Sequence, residues 1–61
     1  MFYVIGVSHT GPFWNEEENG YMLTAQEGTH YPSLFAAQIA WAGVERVFLF
    51  CVELNQLWEI L

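Results

Sequence analysis

The stretch from Val44 to Leu54, V-E-R-V-F-L-F-C-V-E-L, constrains the fold of this chain more than any other. It is rich in β-branched and aromatic residues, holds no Gly or Pro, and is too short for a membrane span, so it reads as a strand. Val44, Arg46, Phe48, Phe50, Val52 and Leu54 alternate with Glu45, Val47, Leu49, Cys51 and Glu53. Strand side chains alternate between faces, so from Val47 to Val52 this strand is apolar on both. A single helix, about 10 Å across, shields roughly two strands of one sheet face. The other face needs a second cover. A further copy of the chain is the expected one, with Val47, Leu49 and Cys51 of the strand and Phe35 and Ile39 of the helix at the contact.

Chain length strengthens that expectation. A domain of 61 residues buries only about 60% of the surface its unfolded chain exposes. Ordering costs on the order of 1.5 kcal/mol per residue, so a core of this size comes out near balance without help. The lone Cys51 excludes an internal disulfide, and no ligand cluster has the spacing of a structural zinc site. Oligomerisation, a homodimer first, is the remaining aid. One domain spanning residues 1–61 is expected, with residues 55–61 as a C-terminal arm.

Seven Glu stand against Arg46 alone, for a formal charge of −6. Nucleic-acid binding draws its affinity from Lys and Arg displacing counterions, so direct nucleic-acid binding is excluded as an expectation. Anionic membrane surfaces are disfavoured for the same reason. A basic protein surface is the natural complement. The apolar run Leu34 to Val44 falls far short of the ~20 residues of a membrane span. The N-terminus has no basic n-region, and an unpaired cysteine suits a reducing compartment, so a cytoplasmic protein is expected.

In chain order, Phe2 to Thr10 reads as a first strand. Gly6 within it marks a close approach by a neighbour, and Trp41 of the helix is the expected aromatic above it. Gly11-Pro12 ends that strand. Phe13 to Gly20 reads as a loop with an acidic tip, closed by Asn19-Gly20 in a type I′ turn. Gly20 to Gln26 is then a short edge strand. Pro32 and Ser33 open a helix from Leu34 to Ala42, with Gly43 as its stop. Leu34, Ala37 and Trp41 form one stripe of that helix; Phe35, Ile39 and Ala42 form another. Only Gln38 is polar, so the helix has hardly an outward face. The tail after Asn55-Gln56 reads as an extended arm or short strand. The expected fold is α+β, a small ββαβ(β) domain with a three- to four-stranded sheet and one short apolar helix. Its crossover would be right-handed if the joined strands were parallel.

Candidates for chemistry are few. His9 and His30 sit at chain positions that place both at one end of the sheet, where they would frame an active or ligand site. Structural histidines that bond loop carbonyls are the plainer reading. Cys51 lies mid-strand, where a thiol behaves as a small hydrophobe. His9, His30 and Cys51 are legal zinc ligands but lack the close pairs that anchor a metal site. Glu16-Glu17-Glu18 lacks the alternating ligands and central Gly of a calcium loop. No catalytic residue, cofactor site or metal site is therefore expected.

The aromatics and the acidic tip remain. Glu16, Glu17 and Glu18 read either as a solvated turn or as a docking tip anchored by Trp14 and Phe13. Trp58, in the tail, is a second expected anchor. In size, acidity and lack of a catalytic signature the chain resembles small phage or mobile-element accessory proteins that bind and inhibit a host protein. A non-enzymatic interaction module is the leading expectation. The alternatives are a small enzyme or ligand-binding protein with a site near His9 and His30, and a structural subunit of a larger assembly.

Overall fold

The long apolar strand lies in the interior of a five-stranded antiparallel sheet, one place in from the edge, in the computed structural model, which describes all residues Met1–Leu61. Strand β1 is Phe2–Gly6, β2 Phe13–Asn15 and β3 Gly20–Met22; helix α1 is Leu34–Ala40; β4 is Arg46–Cys51 and β5 Gln56–Glu59. The sheet order is β3-β2-β1-β4-β5. The class is α+β, with five strands where the sequence suggested three or four. Strand β4 lies antiparallel to β1, Val4 opposite Phe48 and Ile5 opposite Val47, so no parallel crossover exists.

Strands β1, β3 and β4 and the helix are shorter than their apolar patterns, and for β1 a local hydrogen bond explains why. Strand β1 stops at Gly6 rather than Thr10 because the Ser8 hydroxyl donates to the Gly11 carbonyl at 2.8 Å and folds the chain back. The expected loop from Phe13 begins instead with β2, whose Phe13 is buried against β1. Asn19 alone takes the left-handed conformation in the Glu16–Asn19 turn, with φ 51°, and Gly20 already belongs to β3. The turn is thus a four-residue connection, not a two-residue type I′ hairpin.

The helix opens as its sequence suggests. The Ser33 hydroxyl caps it, accepting from the Ala36 N–H at 3.1 Å. It ends two residues early, at Ala40, because Trp41 adopts an extended backbone. There the Trp41 Nε1–H donates to the Glu45 carbonyl at 2.7 Å, and the indole packs against the sheet-side cluster. Gly43 does have a positive φ, 88°, but in the turn beyond the helix.

Both faces of β4 are covered from within the chain, which removes the argument that a second copy must supply the missing cover. On one face α1 lays Ala37 over Ile5 and Val47, with Tyr31 beside them. On the other, Val4, Phe13, Ala25, Phe48 and Phe50 form a second cluster, flanked by Val52 and Leu57. Ala25 arrives on the irregular segment between β3 and α1, and irregular segments leave no periodic trace in a sequence. The aromatic above Gly6 is Phe13, not Trp41. The tail, too, stays on its own chain: β5 pairs with β4, Leu49 opposite Trp58 and Phe50 opposite Leu57.

Candidate interaction surface

Helix α1 presents the most exposed apolar stripe. Its small residue Ala37 is fully buried, which brings the helix close to the sheet and turns the i+2 positions outward. Phe35 and Ile39 stand 71% and 72% exposed, and Val44 beyond the helix is 85% exposed. Between Glu27 and Glu45 the chain carries no Asp, Glu, Lys or Arg. The segment that bears this stripe is therefore free of fixed charge, in a chain that is acidic elsewhere.

The strand residues expected at a self-contact lie elsewhere. Val47 and Cys51 are buried in their own chain, and Leu49 is half-buried beside Trp58. Phe35 and Ile39 are the two that reach solvent. Leu34 and Ala37 of the first expected stripe pack inward and Phe35 and Ile39 of the second face solvent, whereas Trp41 and Ala42 lie beyond the helix; Val44 and the exposed Leu23 are not singled out by the sequence. Val44 looked like the start of the strand, whereas β4 begins at Arg46.

The acidic tip is held by its neighbours. Asn15 Oδ1 accepts from the Glu18 N–H at 2.8 Å, and its Nδ2–H donates to the Glu27 carbonyl at 2.6 Å. Thr29 Oγ1 accepts from the Glu16 N–H at 2.8 Å. Glu16 also takes a hydrogen bond from the Tyr31 hydroxyl at 3.2 Å. Burial first, then the Glu16 charge, pushes the Tyr31 phenol up to about 12. Glu17 and Glu18 remain exposed. Arg46, the one Lys or Arg in the chain, is already paired with Glu59 at 2.9 Å.

The two tryptophans differ. Trp14 is half-buried in β2, edge-on to Tyr21 with ring centres 5.4 Å apart, so it belongs to the packing beneath the helix more than to a free anchor. Phe13 is core. Trp58 stays partly exposed on the edge strand β5.

His9 and His30 do not converge. His9 Nε2–H donates to the Leu57 carbonyl at 3.3 Å, and its ring meets the edge of Phe48. His30 Nε2–H donates to the Ala25 carbonyl at 3.1 Å and stacks on Phe2, with Phe50 at its edge. Each imidazole closes part of the second core and lines a different cleft. The Cys51 thiol is directed at Glu53, 3.5 Å away, and at neither histidine. No three His, Cys, Asp or Glu side chains come together as a metal site, and no helix is long and apolar enough to cross a membrane.

No protein-family model matches this chain, and no curated protein or solved structure matches it either.

Proposed function

We propose that this chain is a non-enzymatic protein-interaction module that forms a homodimer through the outer face of α1. The observation that carries this reading is the exposed Phe35, Ile39 and Val44 on a segment without fixed charge. Two copies, each at −6, repel wherever their carboxylates approach, and a charge-free face is where they can meet at least electrostatic cost. A two-fold axis places the same stripe on both sides, so Phe35 and Ile39 of one copy pack on those of the other. Apolar patches of this kind mark association sites when they exceed a few hundred Å2. The acidic surface left free by such a dimer, with Glu17 and Glu18 at its tip, suits a basic protein partner. Inhibition of such a partner by simple occlusion fits a chain of this size.

Sedimentation of the wild type and of a Phe35→Glu/Ile39→Glu variant tests the reading. The wild type should sediment as a dimer at micromolar concentration and the variant as a folded monomer, since neither side chain supports the core. A wild-type monomer across that range sinks the dimer. A dimer that survives both substitutions moves the contact off α1.

A further inference from the structure

A cleft of about 500 Å3 opens beside the sheet edge, on the opposite side of the molecule's core from α1. Its size lies within the range of small-molecule sites. Phe13, Ala25 and Leu57 are among its apolar lining residues, and His9, Thr24 and Asn55 among its polar ones. None of its lining residues is Asp, Glu, Lys or Arg.

The hydrogen-bonding character of the lining follows from the register. Tyr3 uses both its main-chain groups on Tyr31, each bond 2.8 Å, so they point away from β4. Tyr3 and Leu49 are therefore a pair of the type that exchanges no hydrogen bonds, and Leu49 turns its own groups toward Trp58 on β5. Alternation then directs the main-chain groups of Leu57 outward, at the free edge of β5. The contact between His9 Nε2 and the Leu57 carbonyl is independent support, since a carbonyl tied into the ladder would be turned away. His9 takes the carbonyl. The Leu57 N–H is left as a donor beside the cleft.

Asn55 supplies the complementary group. It closes the β4–β5 turn with φ 51°, its side-chain amide is exposed, and no protein group bonds it. Thr24 already donates its hydroxyl proton to Glu27 at 2.9 Å, so toward a ligand it only accepts.

We infer that this cleft binds a small, uncharged aromatic carboxamide or lactam. The ligand carbonyl accepts from the Leu57 N–H, its N–H donates to Asn55 Oδ1, and its ring lies on Phe13, Ala25 and Leu57. Anionic ligands are disfavoured by the charge of −6, and cationic ones find no carboxylate in the lining. His9 already covers the adjacent carbonyl, which blocks the alternate pairing an added peptide strand would require. The inference is independent of the α1 dimer.

The test is a titration of the isotopically labelled full chain with benzamide, followed by the amide resonances, with benzoate as the charged counterpart. Benzamide should shift the Leu57 amide proton downfield in a saturable way, with companion shifts at Ala25 and Asn55. Its dissociation constant should be about millimolar, as expected of a fragment-sized probe. Benzoate should bind at least about tenfold more weakly. Asn55→Gly keeps the left-handed backbone and removes the amide, so it should fold normally and bind benzamide about tenfold more weakly. A Leu57 amide that does not respond, or responds without saturation, overturns the site. Equal responses to benzoate and benzamide overturn the ligand class, and an Asn55→Gly variant that binds like the wild type overturns the assigned pairing.

Discussion

Phe13 lies directly across from Gly6 in the β1–β2 pair, and a Cβ on Gly6 would stand 2.8 Å from the Phe13 ring and 3.3 Å from that of Phe48. The glycine exists to admit the ring. Through it, Phe13 reaches Phe48 and joins β2 to the second core, a link that three residues of β2 could not otherwise maintain. Gly6→Ala should therefore destabilise the protein by about 1–3 kcal/mol, the usual range for overpacking. Gly20→Ala is the internal control, because its nearest foreign atom would be 3.8 Å away. Denaturant midpoints of the two variants should separate clearly, and equal midpoints would show that the Phe13 ring yields without cost.

Stability should fall at alkaline pH through the phenol of Tyr31. Its folded pKa of about 12 lies above the ordinary value of 10.0, so the folded state holds this proton more tightly than the unfolded chain. The contribution is complete below pH 10 and is lost as pH rises toward 12. Tyr21 acts in the same direction, its phenol raised chiefly by the hydrogen bond to Glu45. Urea melts across that range should show a decline that Tyr31→Phe reduces. A variant with the same slope as the wild type would place the titration elsewhere.

How far the sequence disclosed the molecule depended on whether a feature had a period. The two apolar faces of β4, the capping Ser33 and the stripes of α1 are periodic or positional signals, and all three are present. Strand β2 has three residues beside Pro12, too few for alternation to register. The cover of the second core, Ala25 with His9 and His30, comes from irregular chain whose placement depends on contacts distant in sequence. For the same reason the cleft has no sequence signature: it joins Thr24 and Ala25, on irregular chain, to Asn55 and Leu57, about thirty residues away. The nearly uncharged helix gave the one legible clue to a surface, through Phe35 and Ile39.

The acidic tip should divide into a structural residue and two free ones. Glu17 and Glu18 are exposed like charges with no cationic partner, so Glu17→Gln/Glu18→Gln should leave the melting temperature unchanged or slightly higher. Glu16 accepts the Tyr31 hydrogen bond, and Glu16→Ala should cost about 1 kcal/mol. Salt-sensitive binding to a basic partner should weaken in the double Gln variant. A double variant that melts well below the wild type would make the whole tip structural.

The two hairpins are built on one plan, and that plan predicts how each tolerates substitution. Asn15 faces Gly20 across the turn Glu16–Asn19, and Cys51 faces Gln56 across the turn Val52–Asn55. Each turn is closed by a main-chain bond from its last residue to its first, 3.2 Å for Asn19 to Glu16 and 3.3 Å for Asn55 to Val52. Both asparagines have φ 51°. This left-handed region costs most residues about 1–2 kcal/mol, and Asn less. Asn19→Gly and Asn55→Gly should therefore match or slightly exceed the wild type in stability, whereas Asn19→Val and Asn55→Val should each lose about 1–2 kcal/mol. Asn55→Val should also loosen β5, the strand that carries the Leu57 amide and part of the cleft lining. Hydrogen exchange at the β4–β5 amides would reveal that loosening, and unchanged protection in Asn55→Val would mean that the ladder, not the turn, sets the register of the edge strand.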